Sequence, residues 1–384
     1  MILKILFRNA FRNKLRTALT ILGVTIAVLS FGLLRTVIHA WYAGVEASST
    51  TRLVTRNAVS LAFPLPLSYR DRIRQITGVK IVSYGNWFGG VYIDEKHFFP
   101  NFTVEPRSYL ELYPEYVLSQ EEKEAFFRDC HGCIVGRKLA AQYGWKVGDL
   151  VPLKGKIFLG EWDFVIRGIY RGRDENTDET QFFFHWDYLN ETLKKRATSW
   201  GDQVGFYLIG VERPELAAGV AAAVDSTFKN SLAETLTETE KAFQQGFVAM
   251  SGAIVTAVQL VSLVVIAIIM GVVANTMAMT TRERFGEYAI LKTLGFGGKY
   301  IAVLIFGESL VITLIGCVFG VVCTFPAARA FGEALPTFFP VFHVGAKTLS
   351  LELVASLVVA LIAAIIPTQR AIAIHVAEAL RRVG

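Results

Sequence analysis

"IVTAVQLVSLVVIAIIMGVVANT", residues Ile254–Thr276, contains no charged side chain. A helix needs about 20 mostly apolar residues to cross the hydrocarbon layer of a bilayer. A helix also satisfies its own backbone amides there, where no water can. Three further stretches are long and mostly apolar, each with a single charged residue: Leu19–Ala40, Ile301–Phe325 and Leu349–Ile366. The 384-residue chain is 53% hydrophobic and 19% charged, against about 45–50% and about 25% in soluble proteins. That excess excludes a disordered chain, a collagen-like chain and a highly charged nucleic-acid arm. Four Cys in this length exclude a disulfide-stapled miniprotein.

Charge placement orients the spans. Residues 1–45 hold six Lys/Arg and no acid, and residues 246–384 hold nine Lys/Arg and six Asp/Glu. Of the chain's 39 basic and 33 acidic residues, 46–245 therefore keep 24 and 27. The net charge of +6 belongs to the apolar parts of the chain, as in loops held on the cytoplasmic side of a membrane. Four spans place the Met1–Arg16 arm, the Thr280–Tyr300 loop and the Arg370–Gly384 tail on one face. The first span is longer than the apolar core of a signal peptide and lacks a clear A-x-A site, so it reads as a retained anchor.

The expected fold is an α-helical membrane protein with four transmembrane helices, one plus three, and a large mixed α/β extracytoplasmic domain inserted between helices 1 and 2. The segments are a cytoplasmic arm 1–16, helix 1 at 17–41, the extracytoplasmic domain 42–245, helix 2 at 246–279 and a cytoplasmic loop 280–300. Helix 3 at 301–325, an outer loop 326–348, helix 4 at 349–367 and a cytoplasmic tail 368–384 complete the chain.

In the inserted domain, Ser68 with Asp71 at N3 predicts a helix start that Gly78 closes. Lys80–Ile93, Glu161–Tyr170 and Gln203–Glu212 read as strands. Pro214 opens an Ala-rich helix. Ser231–Gln245 reads as a polar helix running unbroken into the second span, a stalk able to carry displacement across the bilayer. The aromatic run Gln181–Leu189 reads as core or strand, with a docking surface as the alternative.

Cys130 and Cys133 flank His131 and Gly132. A metal needs three or four ligands and no second pair is visible, so no metal site is assigned. A local disulfide, free thiols or a redox role remain open. His131 and His185 have no catalytic companions, and neither H-E-x-x-H nor G-x-S-x-G occurs. No catalytic residue is assigned.

The loop "TTRERFGEYAILKTLGFGGKYI", Thr280–Ile301, is helix-compatible from Arg282 to Leu294, with Gly295, Gly297 and Gly298 as a stop. At 100° per residue, Phe285, Tyr288 and Ala289 share one side, while Ile290 and Leu294 lie nearly opposite. Glu283 and Glu287 are neighbours at i,i+4, a repulsion of a few tenths of a kcal/mol unless cations answer it. Arg284 reaches Glu287 but leaves Glu283. Either this is a solvated helix, or its acids meet cations on a cytoplasmic partner. Gly316 and Gly320 form a G-x-x-x-G that allows close helix approach, within one protomer or across a dimer. Glu308, inside the third span, costs roughly 2.5–3.5 kcal/mol unless it finds a partner or the interface. Absence of a polar relay in the spans argues against a proton- or sodium-driven carrier.

These residues resemble a known family. The opening "LFRNAFRNKLRTALTILGVTIAV" (Leu6–Val28) is similar to the start of MacB-type, FtsX-like ABC transporter permease subunits. Arg284, Glu287, Leu291, Lys292 and Gly295 match the family's E-R-x-x-E-I-G-x-x-[RK]-A-x-G loop, and Glu308 matches the acid of its next span. Cys133–Leu153 resembles the G-x-x-L-A…G-x-x-V-G-D segment, and Pro367–Arg381 the closing motif. Tyr288, Ala289, Thr293 and Val376 depart from the family pattern. The resemblance implies a permease subunit, non-enzymatic, working as a homodimer or pseudo-dimer with a cytoplasmic ABC ATPase in a bacterial inner membrane. Its termini would be cytoplasmic, and a periplasmic adaptor could join it. Arg282, Glu283, Arg284, Glu287, Lys292 and Gly295 would couple ATPase motion to the outer domain, for export or extraction of an amphipathic substrate. An FtsX-like regulator that activates an outer partner without transport is the alternative. No G-x-x-x-x-G-K-[ST] occurs, and "GFGGKY" (Gly295–Tyr300) lacks its first Gly and its Ser/Thr. This chain then needs no cofactor of its own, and ATP and Mg belong to the partner.

Overall fold

The computed structural model describes residues 2–196, 200–334, 339 and 341–373. The closing resemblance beyond residue 373, with Val376, lies outside the described residues. The chain divides into two compact units. One comprises residues 1–39, 252–334 and 342–384, and the other residues 40–251 with 335–341.

The first unit is helical. Helix α1 (Ile2–Ala10) precedes α2 (Lys14–Ala47). The α/β unit supplies β1 (Arg52–Asn57), β2 (Leu65–Pro66), α3 (Tyr69–Arg74), β3 (Val79–Trp87), β4 (Gly90–Val91) and β5 (Asn101–Val104). Next come α4 (Pro106–Leu112), β6 (Tyr116–Val117), α5 (Gln120–Arg128), β7 (Gly132–Gly136), α6 (Arg137–Tyr143) and β8 (Leu150–Gly155). Then follow β9 (Gly160–Gly172), β10 (Phe182–His185), α7 (Trp186–Arg196), β11 (Gln203–Val204) and β12 (Phe206–Val211). Helix α8 (Ala217–Thr227), β13 (Thr235–Thr239) and α9 (Glu240–Met250) close that unit. The helical unit resumes with α10 (Gly252–Glu283), α11 (Phe285–Thr293), α12 (Gly298–Ala334) and α13 (Ala346–Ala373).

Four helices, α2, α10, α12 and α13, are long and apolar enough to cross a membrane. Helix α10 has 32 residues and α12 has 37, which at about 1.5 Å rise per residue outruns the hydrocarbon core. Gly316 and Gly320 face α2: a Cβ on either would stand 2.6 Å from Val24 or Val28. Their use here is therefore within the protomer. Cys317 is buried and Cys323 is exposed.

The α/β unit is built on a mixed sheet in the order β13-β1-β12-β3-β5-β10-β7-β9-β8-β4, with β6 on β9. The β5–β10 and β7–β9 pairs are parallel. Strand β10 explains the aromatic run. Phe182 and Phe184 enter one core with Phe88, Trp162 and Phe164, while Phe183 enters another with Tyr109, Phe126 and Tyr170. Alternate strand residues point to opposite faces, so a continuous apolar run fills both sides.

Several local expectations change. Ser68 takes helical φ/ψ and makes no side-chain cap bond. The Lys80–Ile93 strand is split into β3 and β4, with Gly89 at φ +64° between them. The stalk is not one helix. Thr235, Thr237 and Thr239 alternate along β13, which pairs antiparallel with β1, because a β-branched residue at every second position suits a strand. Helix begins only at Glu240, capped by Thr239 through the Ala242 amide. It breaks at Ser251, before α10. The disulfide is absent. Cys133 is buried in β7 against the aromatic core, Cys130 is exposed, and both thiols are free. Burial pushes the Cys133 thiol well up.

Candidate functional site

The loop between α10 and α12 forms a second short helix. Arg284 interrupts the helical path at φ −104°, ψ 12°. Helix α11 ends in a Schellman motif: the Phe296 amide donates to the Leu291 carbonyl at 3.0 Å and the Gly295 amide to that of Lys292 at 3.1 Å. Gly295 sits at φ +89°, where a side chain would be strained.

One face of α11 is fixed to the helical unit. Tyr288 and Ala289 are buried, and Tyr288 packs with Ile301, Ile305, Ala364 and Ala371. Burial raises the Tyr288 phenol to about 12. Arg284, also buried, donates from Nε to Glu287 at 2.9 Å and from Nη1 to Glu308 at 2.9 Å. The acid inside α12 therefore has its partner in the loop. Lys292 Nζ donates to the Ile372 carbonyl of α13 at 2.6 Å.

The paired acids find their cations in the same chain. Arg16 forks onto Glu283 at 2.8 and 2.5 Å, and Arg12 pairs with Glu287. Burial alone would raise the Glu287 carboxyl, but bonds from Arg12 and Arg284 outweigh it and hold it below the usual range. In this chain the cations that answer the acids therefore come from the N-terminal arm. Arg12 and Arg16 repeat the i,i+4 spacing of Glu283 and Glu287, a complementarity visible in the sequence but unread. The face left open is apolar: Ile290, Leu294 and Phe296 are 50%, 68% and 42% exposed. Arg282, near the end of α10, is exposed.

A second ionic centre lies where the chain enters and leaves the α/β unit. Arg52, opening β1, pairs with Glu240, opening α9, at 2.8 Å and with Glu115 at 2.7 Å. Its guanidinium lies 4.1 Å from the Tyr113 ring centroid. Glu240 also accepts from the Tyr113 hydroxyl at 2.9 Å and the Ser49 amide at 2.8 Å. A buried charge needs this degree of satisfaction to persist. Beside it opens a cavity of about 630 Å³ whose walls include Trp41, Tyr116, Asp178 and Gln244. No group of three or more His, Cys, Asp or Glu suited to a metal occurs among the described residues.

Residues 260–376 match the family model of the FtsX-like permease C-terminal region. An uncharacterized ABC transporter permease of Methanocaldococcus jannaschii is 25% identical over 338 residues, covering 82% of this chain and 80% of that protein. The periplasmic region of MacB from Actinobacillus actinomycetemcomitans covers 53% of this chain and 95% of its own length, at TM-score 0.38 and 8% identity. The extracellular domain of the noncanonic ABC-type transporter YknZ from Gram-positive bacteria covers 49% and 100%, at TM-score 0.35 and 8% identity. The chain carries an FtsX-like permease domain and is a homologue of an ABC transporter permease. With four helices of spanning length it is a multi-pass membrane protein, and its homology implies an ATPase partner.

Proposed function

We propose that this chain is the membrane subunit of an ABC transporter that turns ATP-driven motion of a separate ATPase into movement of its α/β unit. The spans would lie one plus three about that unit, with the α10–α12 loop and both termini cytoplasmic and the α/β unit outside. The subunit would work as a homodimer in a bacterial inner membrane, with a periplasmic adaptor as a further partner, to export or extract an amphipathic substrate. The supporting observation is the two-sidedness of α11. Arg284 and Lys292 tie it to α12 and α13, while Ile290, Leu294 and Phe296 face outward. A helix anchored on one side and apolar on the other can take a push from a docked protein and pass it to the spans. The ATPase, not this chain, would bind ATP and Mg.

The test is copurification of the full-length chain from its native membrane. An ABC ATPase is expected in stoichiometric amount. Ile290→Asp with Leu294→Asp should remove it while leaving membrane insertion and thermal stability of the permease unchanged. Full ATPase retention by that double variant would overturn the docking face.

A further inference from the structure

Glu352 lies in α13, six residues from its start, and its side chain is completely buried among protein atoms. Its Oε2 has no hydrogen-bond partner among the described residues. The nearest hydroxyl to Oε1, Thr324 Oγ1, is 3.4 Å away, and that same hydroxyl donates to the Gly320 carbonyl at 2.9 Å. A hydroxyl has one proton to give, so the carboxyl receives little. No charged side chain among the described residues acts on it.

Two further oxygens at this place are unspent. Thr313 Oγ1 is buried without a hydrogen-bond partner, and Ser356 Oγ has no nitrogen or oxygen partner, only the weakly accepting Cys317 thiol beside it. Other hydroxyls of these helices bond the carbonyl one turn back, as Thr25 does to Ile21, Thr36 to Gly32 and Thr276 to Val272. Thr313 and Ser356 do not. With Glu352 they line a cavity of about 10 Å³ whose remaining walls are apolar, including Val28, Phe31 and Ile269. That volume holds about one water molecule or one small ion. Gly32 makes the room: a Cβ there would stand 1.8 Å from Glu352 Oε1.

Three orphan oxygens, one carrying formal charge, need a compensating particle. A neutral water would satisfy the oxygens but leave the charge. A divalent ion would reverse the charge, leaving an excess positive charge in an apolar bundle. One monovalent cation answers both needs. We propose that this cavity is a binding site for a single small monovalent cation, held by the Glu352 carboxylate with Thr313 and Ser356 as neutral oxygen ligands. The positive charge is supplied either by a sodium ion or by a proton carried with one water in the same place. The site is isolated from any chain of acids, so its role is to lock α2, α12 and α13 together rather than to conduct.

The experiment uses the full-length protein in detergent, with thermal unfolding as the readout. At fixed pH, sodium replaces choline at constant ionic strength, with potassium as the size control. If sodium is the ligand, the melting temperature rises with log [Na⁺], potassium acts more weakly, and Glu352→Gln is flat. Ser356→Ala and Thr313→Val then raise the half-saturating sodium concentration about tenfold or more, which keeps the test open should Glu352→Gln not fold. If a proton is the ligand, sodium has no effect. The stability difference between the parent and Glu352→Gln then changes with pH between 5.5 and 8.5 (roughly one decade of proton activity per unit). Cys317 touches Ser356 and is the titratable neighbour among the described residues, so this arm is repeated with Cys317→Ser. A parent that responds to neither sodium nor pH differently from Glu352→Gln, Ser356→Ala and Thr313→Val overturns the proposal.

Discussion

Glu308 and Glu352 are the same side chain buried in the same helical unit, 4% and 0% exposed, yet their surroundings differ. Glu308 meets Arg284 at 2.9 Å, a cation delivered by the loop between two spans. Glu352 meets hydroxyls and apolar walls. A buried carboxylate can be neutralised by a fixed partner or by something that comes and goes. The first makes a strut, since it joins α11 to α12 whatever the medium. The second makes a site. His185 shows a third solution: it is buried as a neutral base, its Nε2 2.6 Å from the Phe126 carbonyl.

The sharpest way to break this comparison is to remove the strut's cation. Arg284→Met leaves Glu308 buried and unpaired, and should cost about 3–5 kcal/mol in thermal or denaturant unfolding. Arg284→Met with Glu308→Leu should recover most of that loss. Equal damage from the single and double variants would show that packing around Arg284, not charge, holds α11 in place.

Glu352→Gln should behave in the opposite sense. In sodium-free buffer at alkaline pH it should melt higher than the parent, because an amide in that cavity carries no charge. A lower melting temperature under those conditions would place Glu352 among the struts.

His185 sharpens the third case through pH. Burial, opposed by the Phe126 carbonyl, holds its ring below the ordinary value of 6.5. The unfolded chain therefore takes up a proton first. Stability of the α/β unit should be level above about pH 6.5 and fall below it, by at most about 1.4 kcal/mol per pH unit. Burial raises the Asp178 carboxyl of the same unit, which acts in the opposite sense, so the difference between the parent and His185→Gln isolates the His185 part. His185→Gln should flatten the slope between pH 5 and 6.5, which unfolding followed by Trp fluorescence would read.

The smallest effect is expected at the rim. Glu283→Lys breaks the pair with Arg16, worth about 0.2–1 kcal/mol, and leaves the Glu287–Arg284 bond in place. Stability should hardly move, but the N-terminal arm should become more open to protease. Adding Arg16→Glu should protect it again. Protection unchanged in Glu283→Lys would mean that α1 is held by packing alone, as where Leu6 meets Gly307.

Much of this was legible in the residues. Apolar length gave the four helices, because a span needs a fixed number of apolar residues whatever its neighbours. The Glu161–Tyr170 strand and the Gly295 stop followed from short-range preferences, while the Lys80–Ile93 and Gln203–Glu212 runs each hold two strands. The Thr235–Thr239 strand did not, since its Glu and Lys surroundings favour helix and only pairing with β1 settles it. Ser68 failed as a cap because its backbone takes helical angles.

The candidate site divides along the same line. The sequence by itself showed a short two-sided helix after the second span, with Tyr288 opposite Ile290, but the single helix expected from Arg282 to Leu294 is broken at Arg284, which leaves Glu283 at the end of α10 and Glu287 in α11. Only the tertiary structure decided who answers the acids, with Arg12 and Arg16 returning from more than 250 residues away. Glu352 is the clearest case. Nothing local to Leu349–Ile366 marks its single acid as buried. Long-range packing of Gly32 and Thr313 closes it off, and burial of charge is a property of the assembled fold rather than of any one segment.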